Sequence, residues 1–351
     1  MQQKPAETVV QPKPRMRINL GAFGPLIAFI VLFIVAAIIG REQNFLSAQN
    51  ITNLLIRMAL LGPVAIGMTF VIIGGGLDLS VGSMMALIGG LMIFLSEYLI
   101  DVMGYGFFTA LLVMIGAVVI GLIFGLINGL LVTKAKIEPF IVTLGTMAIF
   151  RSVFAYLAGG GSLRFDTTFM RGARDGSTWA YSTMYSGKVL QFGDFPGIPL
   201  PFVVLIVLAI LAGILLNKTR FGRYVLAIGS NENVARYSAI NVDRIKLYTY
   251  CLIGACVGIA TILQMGRLGS VQYQTGMMLE LQAIAAVVIG GTALKGGSGR
   301  ISGTLLGVAI FVLIEMVLNM LPWVDNNLVD TFRGAIIIVA VWLQILGNRK
   351  R

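Results

Sequence analysis

Long apolar runs separated by short polar segments dominate the chain. A hydrocarbon core of about 30 Å requires about 20 apolar residues per helical span. Runs of this kind predict ten membrane-spanning helices near residues 21–40, 53–74, 81–99, 107–133, 138–158, 199–217, 247–265, 278–292, 301–321 and 330–347. The run at 278–292 is short and ends in glycine, so we expect a broken or partial span there. The predicted fold class is therefore an all-α polytopic membrane protein.

The spans predict one transmembrane domain, 21–347, between a polar tail, 1–20, and a short C-terminal tail, 348–351. The first apolar run is longer than the core of a typical signal peptide, and no small-residue cleavage site follows it, so we expect a retained span. Two connecting segments are long, an outer loop at 159–198 and an inner loop at 217–246. Loops of this length are usually functional or disordered.

The basic residues predict the orientation in the membrane. If the N-terminus is cytoplasmic, 17 of the 26 Lys and Arg lie on the inner side, and six of these lie in the 217–246 loop. Short cytoplasmic loops are enriched in Lys and Arg. An even number of spans then places both termini in the cytoplasm.

Composition agrees with the span pattern. Hydrophobic residues make up 57% of the chain and charged residues only 12%, about half the share in soluble domains. The net charge of +11 is spread between the spans and forms no patch for nucleic acid. Histidine is absent, which excludes His-ligated metals and Ser-His triads, and no metal site is expected. Cys251 and Cys256 share one apolar run and are interpreted as packing residues.

The segment GGGLDLSVG at 74–82 interrupts an apolar run with three glycines. Asp78 or Ser80 can cap the following helix. The break can also line a polar cavity, because irregular backbone at membrane depth must be buried in protein or face water. The run VIIGG at 71–75 recurs as VVIGG at 287–291. This similarity is either an internal repeat, as transporters often contain, or a chance match in an apolar chain.

A second glycine-rich segment, 285–299, contains Lys295. The P-loop spacing G-x-x-x-x-G-K-[ST] is not met there or elsewhere in the chain. If ATP drives this protein, another subunit must hydrolyse it. We expect no cofactor in this chain.

The inner loop contains a short amphipathic pattern. Ser230 or Asn231 can cap a helix that runs to about Ser238, with Val234 and Tyr237 on one face. Such a helix fits the groove of a partner protein. The alternative is a helix that lies on the membrane surface.

Four separated motifs, in order, resemble the ribose/xylose/galactose branch of ABC importer permeases. They are GGGLDLSVG at 74–82, PFIVTLGT at 139–146, the inner segment with GR at 222–223 and AIGSN at 227–231, and LELQAIAAVVIGGT at 279–292. The resemblance extends from about residue 20 to the C-terminus. It implies the permease subunit of a monosaccharide importer in a bacterial inner membrane.

The resemblance also implies partners. These are a cytoplasmic ABC ATPase, a periplasmic sugar-binding protein and a second permease copy or paralogue, all acting in membrane lipid without nucleic acid. In this family the inner loop forms the coupling helix that contacts the ATPase. The residues that this assigns to ATPase coupling are Gly229, Ser230, Asn231, Val234, Ala235, Arg236, Tyr237 and Ile240.

Three positions depart from the family pattern. The coupling segment ends in Ser238 and Ala239 where the family has a small residue and glycine, which can alter the fit to the ATPase. Gln282 replaces the acid of a Glu-Leu-Asp triplet, so a role for that acid is in doubt. Glu138 is a charge where the family has an uncharged residue.

Polar residues within predicted spans are costly in lipid and must face protein or water. Each is either a packing contact between helices or part of the path. The path candidates are Asp78, Ser80, Asn128, Thr143, Thr146, Glu280, Gln282, Glu315 and Asn319.

The sequence thus predicts a transport subunit and not an enzyme. The leading hypothesis is an ATP-driven permease, and the alternative is a secondary transporter that uses an ion gradient at Asp78, Glu280 or Glu315. A membrane enzyme has little support, because no nucleophile–base pair or metal cluster is visible.

Overall fold

The computed structural model describes residues 24–173, 179–189 and 197–321, with the single positions 328, 331, 332, 334, 335, 338 and 342. The predicted tails 1–20 and 348–351 and most of the predicted span 330–347 lie outside these residues. In chain order the helices are α1 (Gly24–Ile39), α2 (Ala48–Ile73), α3 (Val81–Met103), α4 (Phe107–Thr133), α5 (Pro139–Leu157), α6 (Thr167–Arg171), α7 (Thr183–Ser186), α8 (Leu200–Lys218), α9 (Arg220–Ser230), α10 (Glu232–Tyr237), α11 (Val242–Leu268), α12 (Leu279–Ile289) and α13 (Ile301–Met320). The strands are β1 (Ser162–Arg164), β2 (Lys188–Val189), β3 (Ile198–Pro199) and β4 (Ser270–Gln272).

Seven of the described helices are long and apolar enough to cross a membrane, namely α2, α3, α4, α5, α8, α11 and α13. Two shorter apolar helices, α1 and α12, coincide with the predicted spans 21–40 and 278–292. With 11 residues, α12 is roughly 16 Å long, about half of a bilayer core. The all-α polytopic fold with a partial span is confirmed.

The core lies around α11, which packs against both α4 and α2. The α4–α11 contact depends on small residues, because a side chain on Gly121 would overlap the backbone of Gly254, and one on Gly125 would overlap the carbonyl of Tyr250. Small residues allow membrane helices to approach closely where no hydrophobic effect draws them together. Both cysteines are free, and Cys256 is buried in α11 as a packing residue.

The outer loop is ordered where the structure describes it. Strand β1 pairs antiparallel with β4, and Leu163 lies opposite Val271. Strand β2 pairs with β3 in the same loop. Phe169 stacks on Tyr181, whose hydroxyl donates to the carbonyl of Ile262 at 3.1 Å. This segment therefore packs onto the end of α11.

The segments predicted to be cytoplasmic meet at the opposite end. Lys136, in the α4–α5 turn, pairs with Asp243 at the start of α11 at 2.6 Å. The N–H of Gly297, in the α12–α13 loop, donates to the carbonyl of Ile73 at 2.9 Å. The loops predicted to share a side are therefore close together in space.

Candidate translocation path and coupling segment

The first glycine break ends α2. The N–H of Gly75 donates to the carbonyl of Ile72, and the N–H of Gly76 donates back to that of Val71, both at 2.9 Å. Gly75 has a φ of +79°, a left-handed conformation that favours glycine. Together these bonds form a Schellman ending, which satisfies carbonyls that the end of a helix leaves without partners.

The second break has the same local structure. The N–H of Gly291 donates to the carbonyl of Val288 at 2.9 Å, and that of Thr292 donates to Val287 at 3.2 Å. Gly291 has a φ of +90°. The repeated sequence VIIGG and VVIGG therefore encodes the same helix ending twice, once at α2 and once at α12.

A buried polar cluster lies directly after the first break. The Asp78 carboxylate accepts from the N–H of Ser80 at 2.8 Å and from its hydroxyl at 2.6 Å. Asn128 of α4 donates to Asp78 at 3.3 Å and to the Ser80 hydroxyl at 2.8 Å. All three side chains are fully buried. The cluster joins the α2–α3 break to α4.

The expected capping role does not occur in this cluster. Ser80 occupies the N-cap position of α3, but its side chain caps no N–H of that helix. The Asp78 carboxylate instead accepts from the N–H of Ser80, two residues further on, in an Asx turn that precedes the helix. The prediction that Asp78 or Ser80 caps α3 with its side chain was therefore wrong.

A polar cavity of about 300 Å³ lies between α2, α11, α12 and α13. It brings together two of the predicted path residues, Gln282 and Glu315. Arg57, Gln264 and Arg267 also line the cavity, and none of them was among the predicted path residues. The latter two lie in the last turns of α11, where a polar residue is equally typical of an ordinary helix end.

The other predicted path residues lie elsewhere. Thr143 and Thr146 are buried on α5 and donate to carbonyls of their own helix, those of Pro139 and Thr143. Asn319 is exposed near the end of α13. Glu280 lies in the first turn of α12 outside the cavity lining. Asp78, Ser80 and Asn128 form their own cluster.

Arg151 supports the irregular segment that leads into α12. Its guanidinium donates to the carbonyls of Tyr273 and Thr275 and lies 5.6 Å from the Tyr273 ring centroid. These contacts satisfy backbone groups outside regular structure, which lipid could not do. Arg151 therefore makes a packing contact between α5 and the segment that precedes α12.

The inner loop forms two helices, α9 and α10. The Thr219 hydroxyl caps α9 by accepting from the N–H of Gly222 at 3.2 Å. Helix α9 was not predicted. Asn231 caps α10 by accepting from the N–H of Val234 at 3.1 Å. Of the two predicted caps, the structure selects Asn231, while Ser230 bonds the carbonyl of Leu226.

The predicted coupling residues fall into two sets. Val234 is 57% exposed and Tyr237 is 90% exposed. Ala235 is buried against Ile228 and Val242. Gly229 is also enclosed, because a side chain there would overlap the carbonyl of Ile73. Val234 and Tyr237 are therefore open to a partner, as are the exposed polar residues Asn231 and Arg236.

Ion pairs link α10 to α11 and, through Asp243, to the α4–α5 turn. Arg236 pairs with Glu232 at 2.8 Å and with Asp243 at 3.1 Å. Asp243 also binds Lys136, and Glu232 binds Lys246 at 2.6 Å. Partial burial alone would raise the pKa of Glu232, but its bonds to Lys246 and Arg236 outweigh this and hold the pKa below its ordinary value. The network fixes α10 to α11 and to the α4–α5 turn.

Residues 50–341 match the protein family described as branched-chain amino acid transport system / permease component. The ribose import permease protein RbsC of Bacillus subtilis is 38% identical over 321 residues, which cover 92% of each chain. The xylose transport system permease protein XylH of Haemophilus influenzae is 33% identical and covers 95% of this chain and 98% of its own. RbsC of Escherichia coli K12 is 35% identical and covers 93% of each. No solved structure matches the chain significantly.

Proposed function

This chain belongs to the family of transport permease components that it matches over residues 50–341, and on that premise we propose that it forms the sugar path of an ATP-driven monosaccharide importer. It would work as a subunit of the inner membrane, with both termini in the cytoplasm. It would carry no ATPase site of its own.

The cargo proposal rests on the relatives. The family description names branched-chain amino acids, whereas the similar proteins over nearly the full length of both chains are named for ribose and xylose. The polar cavity between α2, α11, α12 and α13 agrees with a hydroxyl-rich cargo. D-ribose and D-xylose are therefore the first substrates to test, with leucine as the competing class.

The energy source would be a separate ABC ATPase on the cytoplasmic side. The observation that carries this proposal is that α10 exposes the apolar residues Val234 and Tyr237 and is held to α11 by ion pairs. A braced helix can transmit the movement of a docked partner, whereas a loosely attached one would absorb it. The P-loop spacing is absent from the chain, which supports a separate ATPase.

Two further partners complete the proposal. A periplasmic sugar-binding protein would deliver sugar on the side of β1 and β4. A second permease copy or a paralogue would complete the assembly.

Val234→Asp tests the coupling face. Val234 is exposed and Ala235 is buried, so this change alters docking without disturbing the core under α10. With the cognate ATPase and binding protein in liposomes, we expect at least about a tenfold loss of sugar-stimulated ATP hydrolysis and of uptake, as for a charge placed in an interface core.

Leu46→Asp is the matched control, because Leu46 is 62% exposed in the turn between α1 and α2, outside the inner loop. We expect near wild-type hydrolysis and uptake from it. Unchanged coupling in Val234→Asp, with the control also active, would refute the proposed docking face.

A further inference from the structure

The polar cavity is built from one end of each of its four helices. Arg57 is ten residues into α2, and Gln282 lies in the first turn of α12. Gln264 lies near the end of α11, and Glu315 lies near the end of α13. Strand β4 follows α11 directly and pairs with β1 of the outer loop, so this end is the one beside the outer loop.

The lining changes with depth. Arg267 is exposed at the end of α11 and forms the rim. Glu315 is 8% exposed and lies among buried apolar residues such as Met85. Ionisable side chains at membrane depth are costly and mark substrate paths or water-filled cavities. We call this cavity the vestibule: Arg267 lies at its exposed end, beside the outer loop, and Glu315 lies at its buried end.

We propose that this vestibule holds one neutral monosaccharide on its way through the subunit, with Gln264 and Gln282 as hydrogen-bonding partners. This inference rests on the proposed function and assigns residues to it. An amide offers both donor and acceptor atoms, which suits a hydroxyl group that can act as either. Such groups bind sugars without requiring a charge on the ligand.

Size supports this ligand class. A volume of about 300 Å³ lies at the lower limit for small-molecule pockets and suits a single sugar ring. The lining carries two cations, Arg57 and Arg267, and one carboxylate, Glu315, so a sugar acid is the charged ligand that the test must separate from a neutral sugar.

The lining residues also indicate weak binding. Four of the described lining residues are Leu or Val and two are Met, and none of those described is aromatic, so none of them offers a ring to stack on the sugar. A site without such an anchor releases its ligand readily, as a transport path requires.

Cysteine labelling tests occupancy directly. Gln282→Cys is made in a chain whose two cysteines, Cys251 and Cys256, are replaced by alanine. The detergent-solubilised protein then reacts with a small thiol reagent, with or without D-ribose or D-xylose. We expect the sugar that is transported to slow labelling about tenfold at ten times its dissociation constant. An equal concentration of a disaccharide should not slow it.

Asn217→Cys is the matched control. Asn217 lines a second cavity of about 320 Å³, at the opposite end of the molecule, between α8 and α13. Its labelling should not respond to sugar. Equal labelling of Gln282→Cys with and without sugar would overturn the inference, as would equal slowing at Asn217→Cys or stronger slowing by a sugar acid.

A second pair of variants covers the case in which Gln282→Cys folds poorly. Gln282→Leu and Gln264→Leu should each lower uptake by the reconstituted importer about tenfold, while the ATPase remains bound and hydrolyses ATP at its basal rate. Asn217→Leu should transport normally. Normal uptake by both glutamine variants would overturn the inference alone, whereas a wild-type importer that moves no sugar would overturn the proposed function.

Discussion

Asp78 shows how a single buried side chain can hold a break between membrane helices. Its carboxylate accepts three hydrogen bonds, two from Ser80 and one from Asn128. Neither water nor lipid can replace these partners, because all three residues are fully buried. The geometry of the α2–α3 connection therefore depends on one acceptor group.

Asp78→Ala should destabilise the protein strongly. It leaves the N–H and hydroxyl of Ser80 without their acceptor and removes one of the two acceptors of the Asn128 amide, and each buried unpaired group costs about 1–3 kcal/mol. We expect a clear fall in the thermal unfolding midpoint in detergent. Asp101→Ala, at an exposed position in the last turn of α3, should leave the midpoint nearly unchanged. Equal midpoints for the two variants would disprove this role of the cluster.

For single residues, the sequence identifies unusual polar positions better than it predicts the contacts that they make. The motif around Asp78 and the membrane position of Asn128 marked both as unusual. Their contact joins residues 50 positions apart, and no local pattern encodes it. Gln264 and Arg267 were missed because only the packing of helices that are distant in sequence brings them to the cavity.

The breaks at the ends of α2 and α12 meet the inner loop at one point. Gly229, the penultimate residue of α9, lies against the carbonyl of Ile73 and the N–H of Gly297. The Gly297 N–H also donates to Ile73. The α12–α13 loop, the end of α2 and the inner loop are therefore packed backbone to backbone, without side chains between them.

Gly229→Ala should disturb this junction. The added methyl group would overlap the Ile73 carbonyl, and overpacking of this kind costs about 1–3 kcal/mol. We expect a lower unfolding midpoint and faster proteolysis of the inner loop. Gly213→Ala is the control, since no atom lies within 4 Å of the position that its methyl group would occupy on α8. A midpoint for Gly229→Ala no lower than that of the control would contradict the close packing.

Elements were predicted well where the signal is local. Within the described residues, apolar runs locate the seven helices long enough to cross a membrane and two shorter apolar ones, because lipid requires every backbone group to be bonded within its own helix. Asn231 was foreseen as a cap because capping depends on residues three positions apart. Helix α9 was missed, since its buried face of Gly222, Val225 and Ile228 is short and mixed with charges. The β1–β4 pair links residues more than 100 positions apart and has no local signature.

The whole molecule divides its polar features between its two ends. The vestibule opens beside the outer loop, while the ion pairs around α10 and the glycine junction lie at the opposite end. Both glycine breaks lie on the side of that junction, at the C-terminal ends of α2 and α12, and both helices also line the vestibule. The two helices thus connect the vestibule to the inner loop.

The central claim is that this subunit conducts sugar but is driven by another protein. Uptake of radiolabelled D-ribose and D-xylose into liposomes tests it most directly, with the purified chain alone or together with its ATPase and binding protein. We expect accumulation of one of these sugars only when both partners and ATP are present, and none when leucine is the cargo. Accumulation by the chain alone, driven by a proton or sodium gradient, would contradict the account.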